Sequence, residues 1–382
     1  MKITLVGFES WSHNTCIFNI GKEALKIGVL HKLICPDYKT GFIPDRDFII
    51  KEPLSLRGLS FLISKINYVM EDFPDRYYNE QLLFDMFAKK HINTGADLVV
   101  HTDSGLARSL EKARGLGIPT VILHRTLHPL HVVNILKEES EKFGIREKSV
   151  LVYEKWVSNR VKTLRQCNKI LALSELERDS LVKFGIQKSK IELIRHGQGV
   201  DTNYFKPSNE KEETFTVLFL GHKSLIKGVP YLLEAWKKLN LKDAKLIVAG
   251  YQDKKLIEIY RRRTQFEAPG IVNPLKYYQK AHIYILPSLG DSFARTALEA
   301  MSCGLPVIVS DMTGIKDVIE DGKEGFIIPS RSVKSISEKI LYFYENPSEV
   351  KRMGKNARRK AEEYTWENFA REVIEKCSIL RK

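Results

Sequence analysis

The sequence lacks the features of a secreted or membrane-spanning protein. Cysteine is scarce, and its five residues are scattered without a C-x-x-C pair: Cys16, Cys35, Cys167, Cys303 and Cys377. This usage is typical of reduced thiols in a cytosolic protein. The N-terminal stretch MKITLVGF is too short for a signal peptide, and no segment reaches the roughly 18 apolar residues of a spanning helix. We therefore expect a cytoplasmic protein whose membrane contact is at most peripheral, on the cytoplasmic face.

No local concentration of basic residues accompanies the net charge of +14. Residues 1–190 carry 29 Lys and Arg against 22 Asp and Glu, and residues 191–382 carry 32 against 25, so the excess is equal in both halves. Nucleic-acid-binding proteins usually cluster their positive charge on one face or stripe. The even distribution disfavours that class and is compatible with an anionic substrate or an anionic membrane surface.

Two common nucleotide-binding motifs are also missing. No G-x-G-x-x-G follows the first strand-like run, which counts against a dinucleotide oxidoreductase. The loop FLGHKSLIKGVPYLLEAW, residues 219–236, has a lysine and glycine before a helix but lacks the spacing and hydroxyl residue of a P-loop. Its backbone amides and Lys227 would still suit a diphosphate at the edge of a sheet.

Short strands of β-branched residues alternate with segments of helical length, which predicts an α/β protein with parallel sheets. Strands are predicted at residues 3–7, 29–34, 97–101 and 120–124, and helices at 16–27 and 105–116. A polar, Gly- and Pro-containing stretch near residues 197–213 then interrupts the pattern. Strands resume at 215–220, 245–249, 283–286 and 306–310, with a helix at 229–239. The chain is therefore predicted to form two α/β units whose ligand lies in the cleft between them.

The stretch PSLGDSFARTALEAMSCGLPVIVSD contains two carboxylates, Asp291 and Glu299, at the start of a predicted helix 295–302. Ala294, Arg295 and Thr296 are expected to form the first helical turn, whose amides favour an anion beyond the preceding strand. On spacing alone another interpretation stays open, in which Asp291 or Ser292 caps the helix and Glu299 is solvated.

Residues 277–330 closely resemble the signature of the family 4 retaining glycosyltransferases. In that family a carboxylate, seven residues and a glutamate precede a G-x-P-V-I strand, as Asp291, Glu299 and residues 304–308 do here. The stretches HGQGVDTNYFKP, GIPTVILHRTLHP and CNKILALSELERDSLVKFGI also resemble family segments. The resemblance implies a GT-B fold, in which two Rossmann-like, doubly wound domains face each other across a cleft. We expect an acceptor-side domain at 1–198, a donor-binding domain at 199–364, and a C-terminal helix at about 365–382 that packs back on the first domain.

The resemblance also implies roles for individual residues. Glu299 would hydrogen-bond the ribose of a nucleotide-sugar donor, Asp291 would contact the donor sugar, and Lys227 would neutralise charge on the diphosphate. His124 would approach the reacting centre from the acceptor side. The remaining donor-side residues are expected in three places: the loop that begins at Gly221, the start of the predicted helix 295–302 with the residues just before it, and the first loop of the chain. They are Gly221, His222, Ser292, Phe293, Ala294, Arg295, Thr296, His13 and Asn14.

The implied reaction is glycosyl transfer with retention, from a UDP- or GDP-sugar to a glycan, a lipid-linked molecule or another hydroxyl acceptor, without a metal or other cofactor.

Three departures from the family pattern bear on donor preference and turnover. His222 stands where arginine is usual, so the second positive charge on the diphosphate would be weaker, be supplied by a neighbour such as Lys223 or Arg295, or be absent. Asp291 is shorter than the usual glutamate, and Ala294 replaces a glycine.

Several rival hypotheses are compatible with parts of the sequence. His124, His128 and His131 have metal-like spacing, but Pro129 is expected to interrupt a helix there and no second ligand cluster is nearby. The D-x-D at residues 45–47 resembles the metal-binding motif of the other large glycosyltransferase fold, but its setting near the start of the chain is more typical of a solvated turn. The apolar residues 54–70 are predicted to form a helix, packed on the sheet or lying on a membrane. Other functions remain open: a nucleotide-sugar epimerase, a degenerate non-catalytic relative, or a basic nucleic-acid or membrane-surface module.

Overall fold

The computed structural model describes residues 1–8, 15–36, 49–52, 76–145, 149–208, 211–222 and 225–379. His13, Asn14, the D-x-D at 45–47, the predicted helix at 54–70 and Lys223 lie outside these ranges. None of the described helices is both long and apolar enough to cross a membrane.

The first half of the chain forms a parallel sheet of seven described strands, ordered β3-β2-β1-β4-β5-β6-β7. The strands are β1 (Ile3–Val6), β2 (Leu30–Pro36), β3 (Ile49–Glu52), β4 (Leu98–His101), β5 (Thr120–Leu123), β6 (Lys169–Ala172) and β7 (Ile191–Leu193). The order reverses between β1 and β4, which are hydrogen-bonded neighbours. Such a switch point opens a crevice at the carboxyl edge of the sheet.

A second parallel sheet of six described strands follows, ordered β10-β9-β8-β11-β12-β13. Its strands are β8 (Phe215–Leu220), β9 (Ala244–Ala249), β10 (Glu267–Gly270), β11 (Ile283–Leu286), β12 (Val307–Ser310) and β13 (Gly325–Ile328). Here the switch point lies between β8 and β11. The loop after β8 and the turn after β11 therefore meet at one edge.

Helices connect these strands and cover the sheets. In chain order they are α1 (Thr15–Lys26), α2 (Arg76–His91), α3 (Ala107–Gly115), α4 (Pro129–Phe143), α5 (Glu154–Gln166), α6 (Glu175–Lys183), α7 (Val229–Leu239), α8 (Lys254–Arg261), α9 (Pro274–Lys280), α10 (Arg295–Ser302), α11 (Val333–Glu345), α12 (Pro347–Ala361) and α13 (Trp366–Ile379). The two-unit α/β architecture predicted from the alternation is confirmed.

The central strands of both sheets are apolar because helices cover both faces of each sheet. All four residues of β1, β4, β5, β11 and β12 are buried. Near-continuous Val, Ile and Leu runs are typical of parallel strands packed between helices. These runs explain why the sequence predicts β8 and β11 with the bounds that the structure shows. The predicted bounds of α7 and α10 also agree with the structure.

The last helix, α13, returns to the first half of the chain and packs against α1. Lys26 Nζ lies 3.1 Å from a Glu367 carboxylate oxygen. Glu372 accepts hydrogen bonds from the backbone amides of Arg195 at 2.8 Å and His196 at 2.9 Å, where the chain leaves the first sheet. The crossing segment is thus tied to the C-terminal helix.

The two halves also contact each other through α4. The hydroxyl of Tyr231, in the first turns of α7, donates to Glu139 Oε2 at 2.8 Å. Arg331 Nε donates to Glu139 Oε1 at 2.7 Å. Glu139 is 1% exposed, so its carboxylate is enclosed between the halves and is held by donors from the second one.

Candidate active site

The switch point of the second sheet brings together two of the predicted functional side chains. Lys227 lies near the end of the loop after β8, and Asp291 follows β11. The Lys227 ammonium donates to Asp291 Oδ2, and both side chains are mostly buried, at 23% and 15% exposure. The family resemblance implies separate contacts of these residues with a donor, and the structure pairs them directly.

The other carboxylate oxygen of Asp291 holds the turn before α10. Asp291 Oδ1 accepts from the amide of Ala294 at 2.9 Å and lies 3.4 Å from the amide of Phe293. The main chain of Asp291 is fixed as well, because its amide donates to the Met312 carbonyl and its carbonyl accepts from the Gly314 amide. These two amides lie before α10, and no side chain caps that helix, so the interpretation in which Asp291 or Ser292 caps the helix is wrong. Asp291 instead holds the turn before the helix and pairs with Lys227.

Ala294 adopts the left-handed conformation, with φ 68° and ψ 61°. It lies just before α10, so the expectation that it forms part of the first helical turn is wrong. A left-handed residue other than glycine costs roughly 1–2 kcal/mol through contact of Cβ with the carbonyl oxygen. The alanine that departs from the family pattern therefore stands where a glycine would relieve backbone strain.

The neighbours of Ala294 in the turn are enclosed by the first half of the chain. Phe293 is 2% exposed, and its ring lies against Gly197, where a Cβ atom would meet the ring at 1.8 Å. Ser292 is 4% exposed, and its carbonyl accepts from the hydroxyl of Ser174 at 2.5 Å. The turn predicted to hold the donor is thus also part of the contact between the two halves.

Glycine is required at position 228, between Lys227 and α7. Gly228 has φ 71°, and a Cβ atom there would lie 1.9 Å from the Pro287 carbonyl oxygen. The loop after β8 can approach the end of β11 this closely because the side chain is absent. This close approach is what places Lys227 within reach of Asp291.

Glu299 lies in the second turn of α10 and is 7% exposed, so the alternative in which it is solvated is wrong. Its Oε1 lies 3.1 Å from Arg295 Nε, and its Oε2 lies 3.1 Å from the hydroxyl of Tyr278. Burial raises the pKa of Glu299 above its ordinary value, although Arg295 opposes the shift. Arg295 is engaged by this carboxylate, which weakens its candidacy as a second cation for a diphosphate.

Thr296 joins the start of α10 to the sheet through two buried tyrosines. Its Oγ1 lies 2.7 Å from the hydroxyl of Tyr284, which also lies 3.0 Å from the Leu220 carbonyl at the end of β8. The Tyr278 hydroxyl lies 3.0 Å from the Thr296 carbonyl. These contacts fix the helix relative to the carboxyl edge of the sheet.

Gly221 and His222 begin the loop after β8. The Gly221 amide donates to the Ala249 carbonyl at 3.1 Å, which extends the pairing of β8 with β9. His222 is exposed, and its Nδ1 accepts from the amide of Tyr251 at 2.7 Å. A ring nitrogen that accepts an N–H carries no proton, so the Tyr251 amide takes up one of the two positions from which a charged imidazole would donate.

His124 follows β5 at the carboxyl edge of the first sheet. It is 1% exposed, and burial together with the nearby Arg160 lowers the pKa of His124 to about 3. Its amide donates to the Leu171 carbonyl at 2.9 Å, and its Nε2 lies 3.5 Å from Thr126 Oγ1. The side chain is therefore a neutral, enclosed imidazole rather than a charged group in open solvent.

A buried ion pair beside His124 was not anticipated from the sequence. Arg160 of α5 donates to Asp103 Oδ2 at 2.8 Å, and both side chains are less than a tenth exposed. Burial alone would raise the pKa of Asp103, but the paired guanidinium holds it below its ordinary value. No local motif predicts this pair, because its partners are more than fifty positions apart in sequence.

The histidines with metal-like spacing have separate local contacts. His128 Nδ1 accepts from the Leu130 amide at 3.3 Å, which caps α4, and His131 Nδ1 lies 2.9 Å from Ser180 Oγ. Pro129 is the first residue of α4, so the expectation that it interrupts a helix is wrong; proline is well tolerated at that position. Within the described ranges, no three His, Cys, Asp or Glu side chains form a group that could hold a metal ion.

A serine cap at the start of α6, with Glu177 bonded to the residue before the cap, is a further element that was not predicted from the sequence. Ser174 Oγ accepts from the Glu177 amide at 3.1 Å, and Glu177 Oε2 accepts from the Leu173 amide at 3.1 Å. The signal S-x-x-E was present in SELE and could have identified it. Glu177 is fully buried, and burial raises its pKa well above the ordinary value.

Comparison with known families supports the architecture along most of the chain. Residues 14–204 match the family described as Glycosyltransferase Family 4, and residues 200–360 match Glycosyl transferases group 1. The two matches meet near residues 200–204, between the first and second sheets.

Curated relatives are similar at low identity. The D-inositol 3-phosphate glycosyltransferase of Paenarthrobacter aurescens is 23% identical over 300 residues, covering 71% of this chain and 69% of the relative. A protein of the same name from Kribbella flavida is 25% identical over 237 residues, covering 54% and 55%. The MMP alpha-(1->4)-mannosyltransferase of Mycolicibacterium hassiacum is 23% identical over 288 residues, covering 72% and 69%. The chain thus matches from about half to just over two thirds of the length of these relatives.

Solved structures match over nearly the whole length of both chains. Sucrose-phosphate synthase from Thermosynechococcus elongatus has a TM-score of 0.71 at 18% identity, covering 100% of this chain and 99% of that one. Anabaena Alr3699/HepE, solved in complex with UDP-glucose, has a TM-score of 0.68 at 15% identity, covering 99% of each. These likenesses show the two-domain GT-B fold. Since the family matches run together from residue 14 to residue 360, the chain belongs to glycosyltransferase family 4.

Proposed function

We propose that the chain transfers a glycosyl group from a nucleotide sugar to a hydroxyl acceptor, with retention of configuration and without a metal ion. The observation that carries this proposal is the Lys227–Asp291 pair at the switch point of the second sheet. Ligands of open parallel sheets bind at such crevices. A lysine held there beside a helix start is suited to a diphosphate leaving group.

Lys227 can serve a donor without leaving Asp291. An ammonium group has three N–H donors, and Asp291 Oδ2 accepts one of them. A phosphate oxygen can accept another, so the donor is expected to join the pair. Asp291 then lies beside the sugar, and its negative charge keeps Lys227 oriented as charge develops on the diphosphate.

In the proposed reaction, the bond between the anomeric carbon and the diphosphate oxygen breaks, and the acceptor hydroxyl oxygen bonds to the same face of that carbon. The leaving phosphate oxygen takes the hydroxyl proton. The protein stabilises the oxocarbenium-like state through Asp291 and the leaving group through Lys227. No protein nucleophile is needed, so Asp291 and Glu299 do not act as the paired carboxylates of a glycosidase.

Glu299 and His124 are assigned to opposite sides of the reacting centre. Glu299 would accept hydrogen bonds from the donor ribose, with Arg295 and Tyr278 holding its carboxylate in place. His124 would contact the sugar or acceptor from the first domain, as a neutral hydrogen-bonding group. Its lowered pKa supports a role that involves no charge on the imidazole.

A UDP-sugar is our first choice of donor, followed by a GDP-sugar. Support comes from Anabaena HepE, a protein of similar fold solved with UDP-glucose, and from TarM of S. aureus, solved with UDP. We propose a glycan or lipid-linked acceptor, reached in the cytoplasm or at the cytoplasmic face of an anionic membrane. The net charge of +14 supports such a surface.

The test is a screen of UDP-, GDP- and ADP-sugars for donor hydrolysis, followed by mass spectrometry of products from candidate acceptors. Calorimetry with the matching nucleoside diphosphate measures binding separately. Glu299→Ala should weaken nucleotide binding, whereas Glu338→Ala, at an exposed glutamate of α11, should not. Thermal stabilisation by oligonucleotides and by no nucleoside diphosphate would reject the proposal. Conversion of the donor into an isomer without acceptor would point to an epimerase.

A further inference from the structure

The donor turn, residues 291–294, is held from both sides by different domains. On one side, the second domain holds the turn through the Gly314 amide, which donates to the Asp291 carbonyl at 2.9 Å. On the other side, the hydroxyl of Ser174 reaches across from the first domain to the Ser292 carbonyl. Ser174 and Ser292 are each 4% exposed, so this contact is shielded from water.

The hydroxyl of Ser174 has two defined partners. It accepts from the Glu177 amide at 3.1 Å as the cap of α6, and it donates its hydrogen to the Ser292 carbonyl at 2.5 Å. The first contact is satisfied within the first domain. The second contact exists only where the two domains meet.

The geometry of one peptide plane links this contact to Asp291. In a planar trans peptide, the Ser292 carbonyl and the Phe293 N–H point in opposite directions. Ser174 binds the carbonyl, and Asp291 Oδ1 lies 3.4 Å from the Phe293 nitrogen. A rotation of this plane away from Ser174 would therefore move the amide that faces the Asp291 carboxylate.

The surrounding backbone leaves little room for other arrangements. A Cβ atom at Gly314 would lie 1.8 Å from the Ser292 carbonyl oxygen and 2.4 Å from Ser174 Oγ. Beside this point, the Glu175 amide at the start of α6 donates to Asp317 Oδ2 at 3.0 Å. The start of α6 thus makes two hydrogen bonds to the second domain, close to the donor turn.

We propose that Ser174 is a positioning residue for glycosyl transfer: by binding the Ser292 carbonyl across the domain junction, it orients the turn that carries Asp291. The proposal rests on the function proposed above. It implies that the donor site has its reactive geometry when the first domain is docked, and that separation of the domains releases the turn. Ser174 touches neither donor nor acceptor in this role.

The test compares Ser174→Ala with Ser332→Ala. Ser332 caps α11 in the same way, accepting from the Ser335 amide at 3.1 Å, and none of its hydrogen bonds reaches the donor turn. Both variants lose a helix cap, and Ser174→Ala also leaves the buried Ser292 carbonyl without its donor, so it should lose more thermal stability than Ser332→Ala. Ser174→Ala should in addition lower kcat about fivefold to tenfold, the effect of one hydrogen bond, with the Kd for the nucleoside diphosphate changed less than twofold.

Amide hydrogen exchange gives a second reading that does not depend on turnover. Exchange in a peptide covering residues 289–298 should rise in Ser174→Ala and stay at the wild-type level in Ser332→Ala. If wild-type protein transfers no sugar, the proposed function fails while the exchange data still decide the role of Ser174. Unchanged exchange in Ser174→Ala, or a loss of kcat matched by Ser332→Ala, would overturn the inference.

Discussion

Replacing Lys227 with methionine tests the electrostatic core of the proposed mechanism. Methionine keeps an unbranched apolar stem of similar length and removes the ammonium group. The change leaves Asp291 Oδ2 without the Lys227 donor, while Oδ1 keeps its contacts with the turn amides. The positive charge beside the leaving diphosphate is removed, and the turn retains its other hydrogen bonds.

The expected effect on turnover is distinct from the effect on stability. Removing one preorganised group that stabilises charge in a transition state typically lowers kcat by about 100-fold to 1,000-fold. Lys227 is 23% exposed and shares its charge with Asp291, so we expect the lower end, about 100-fold, equivalent to about 2.7 kcal/mol. Both side chains are mostly buried, and removing Lys227 leaves the Asp291 carboxylate without its cation, which should cost about 1–3 kcal/mol of folding stability. The melting temperature should therefore fall by a few degrees while the protein stays folded.

The assay measures kcat and KM for the donor, together with the melting temperature, in the wild type and in two variants. Lys334→Met is the matched control, because the Lys334 side chain is 80% exposed and lies in the same domain. Turnover in Lys227→Met within twofold of wild type, with the protein still folded, would refute the assigned role. A fall in turnover of similar size in Lys334→Met would show that the effect is not specific to the site.

Three further variants probe other parts of the structure. The raised pKa of Glu177 means that the folded chain binds a proton more tightly than the unfolded chain, so stability is lost as the pH rises through the folded pKa. In thermal melts, Glu177→Gln should therefore become more stable relative to wild type as the pH rises, with no such gain near pH 4. A difference in stability that does not change with pH would contradict this. Gly228→Ala should lose about 3 kcal/mol in urea unfolding through strain and contact with Pro287, whereas Gly270→Ala, with φ 78° and open space around it, should lose about 1 kcal/mol. His124→Ala should lower transfer at least about tenfold while nucleoside diphosphate binding, measured by calorimetry, stays nearly unchanged; equal loss of both would remove His124 from the acceptor side.

The sequence predicts the elements of this fold well because its local signals agree with the tertiary structure. Strand β8 is a buried β-branched and aromatic run, and α7 begins after a glycine with proline at its second position. Parallel strands bring their carboxyl ends to one edge, and the pairing of β8 with β11 in the structure makes the lysine after β8 and the carboxylate after β11 neighbours. The approach of Lys227 to Asp291 thus follows from topology, although their direct pairing does not.

Other features depend on contacts between distant parts of the chain, which no local pattern records. The local sequence is equally compatible with Glu299 as a solvated helix residue. In the structure the hydroxyl of Tyr278, from the preceding helix, contacts its carboxylate. Pro129 reads as an interruption until the structure shows that α4 begins there. The contact of His222 with the Tyr251 amide is also non-local, because Tyr251 comes from the loop after the neighbouring strand. In each case tertiary packing selects between readings that are locally equivalent.

The two carboxylates of the signature therefore differ in what a donor must do to reach them. Both oxygens of Glu299 already lie near Arg295 and Tyr278, so a ribose hydroxyl has to share an occupied and enclosed acceptor. Asp291 faces a lysine with spare N–H donors, and a diphosphate can join that pair without displacing either member. Arginine at position 222 would add a second cation beside the diphosphate. Here Lys227 is the described side chain assigned to the leaving group, and Lys223 lies outside the described ranges. We expect the turnover of this chain to depend more steeply on Lys227 than it would in a relative that retains the arginine.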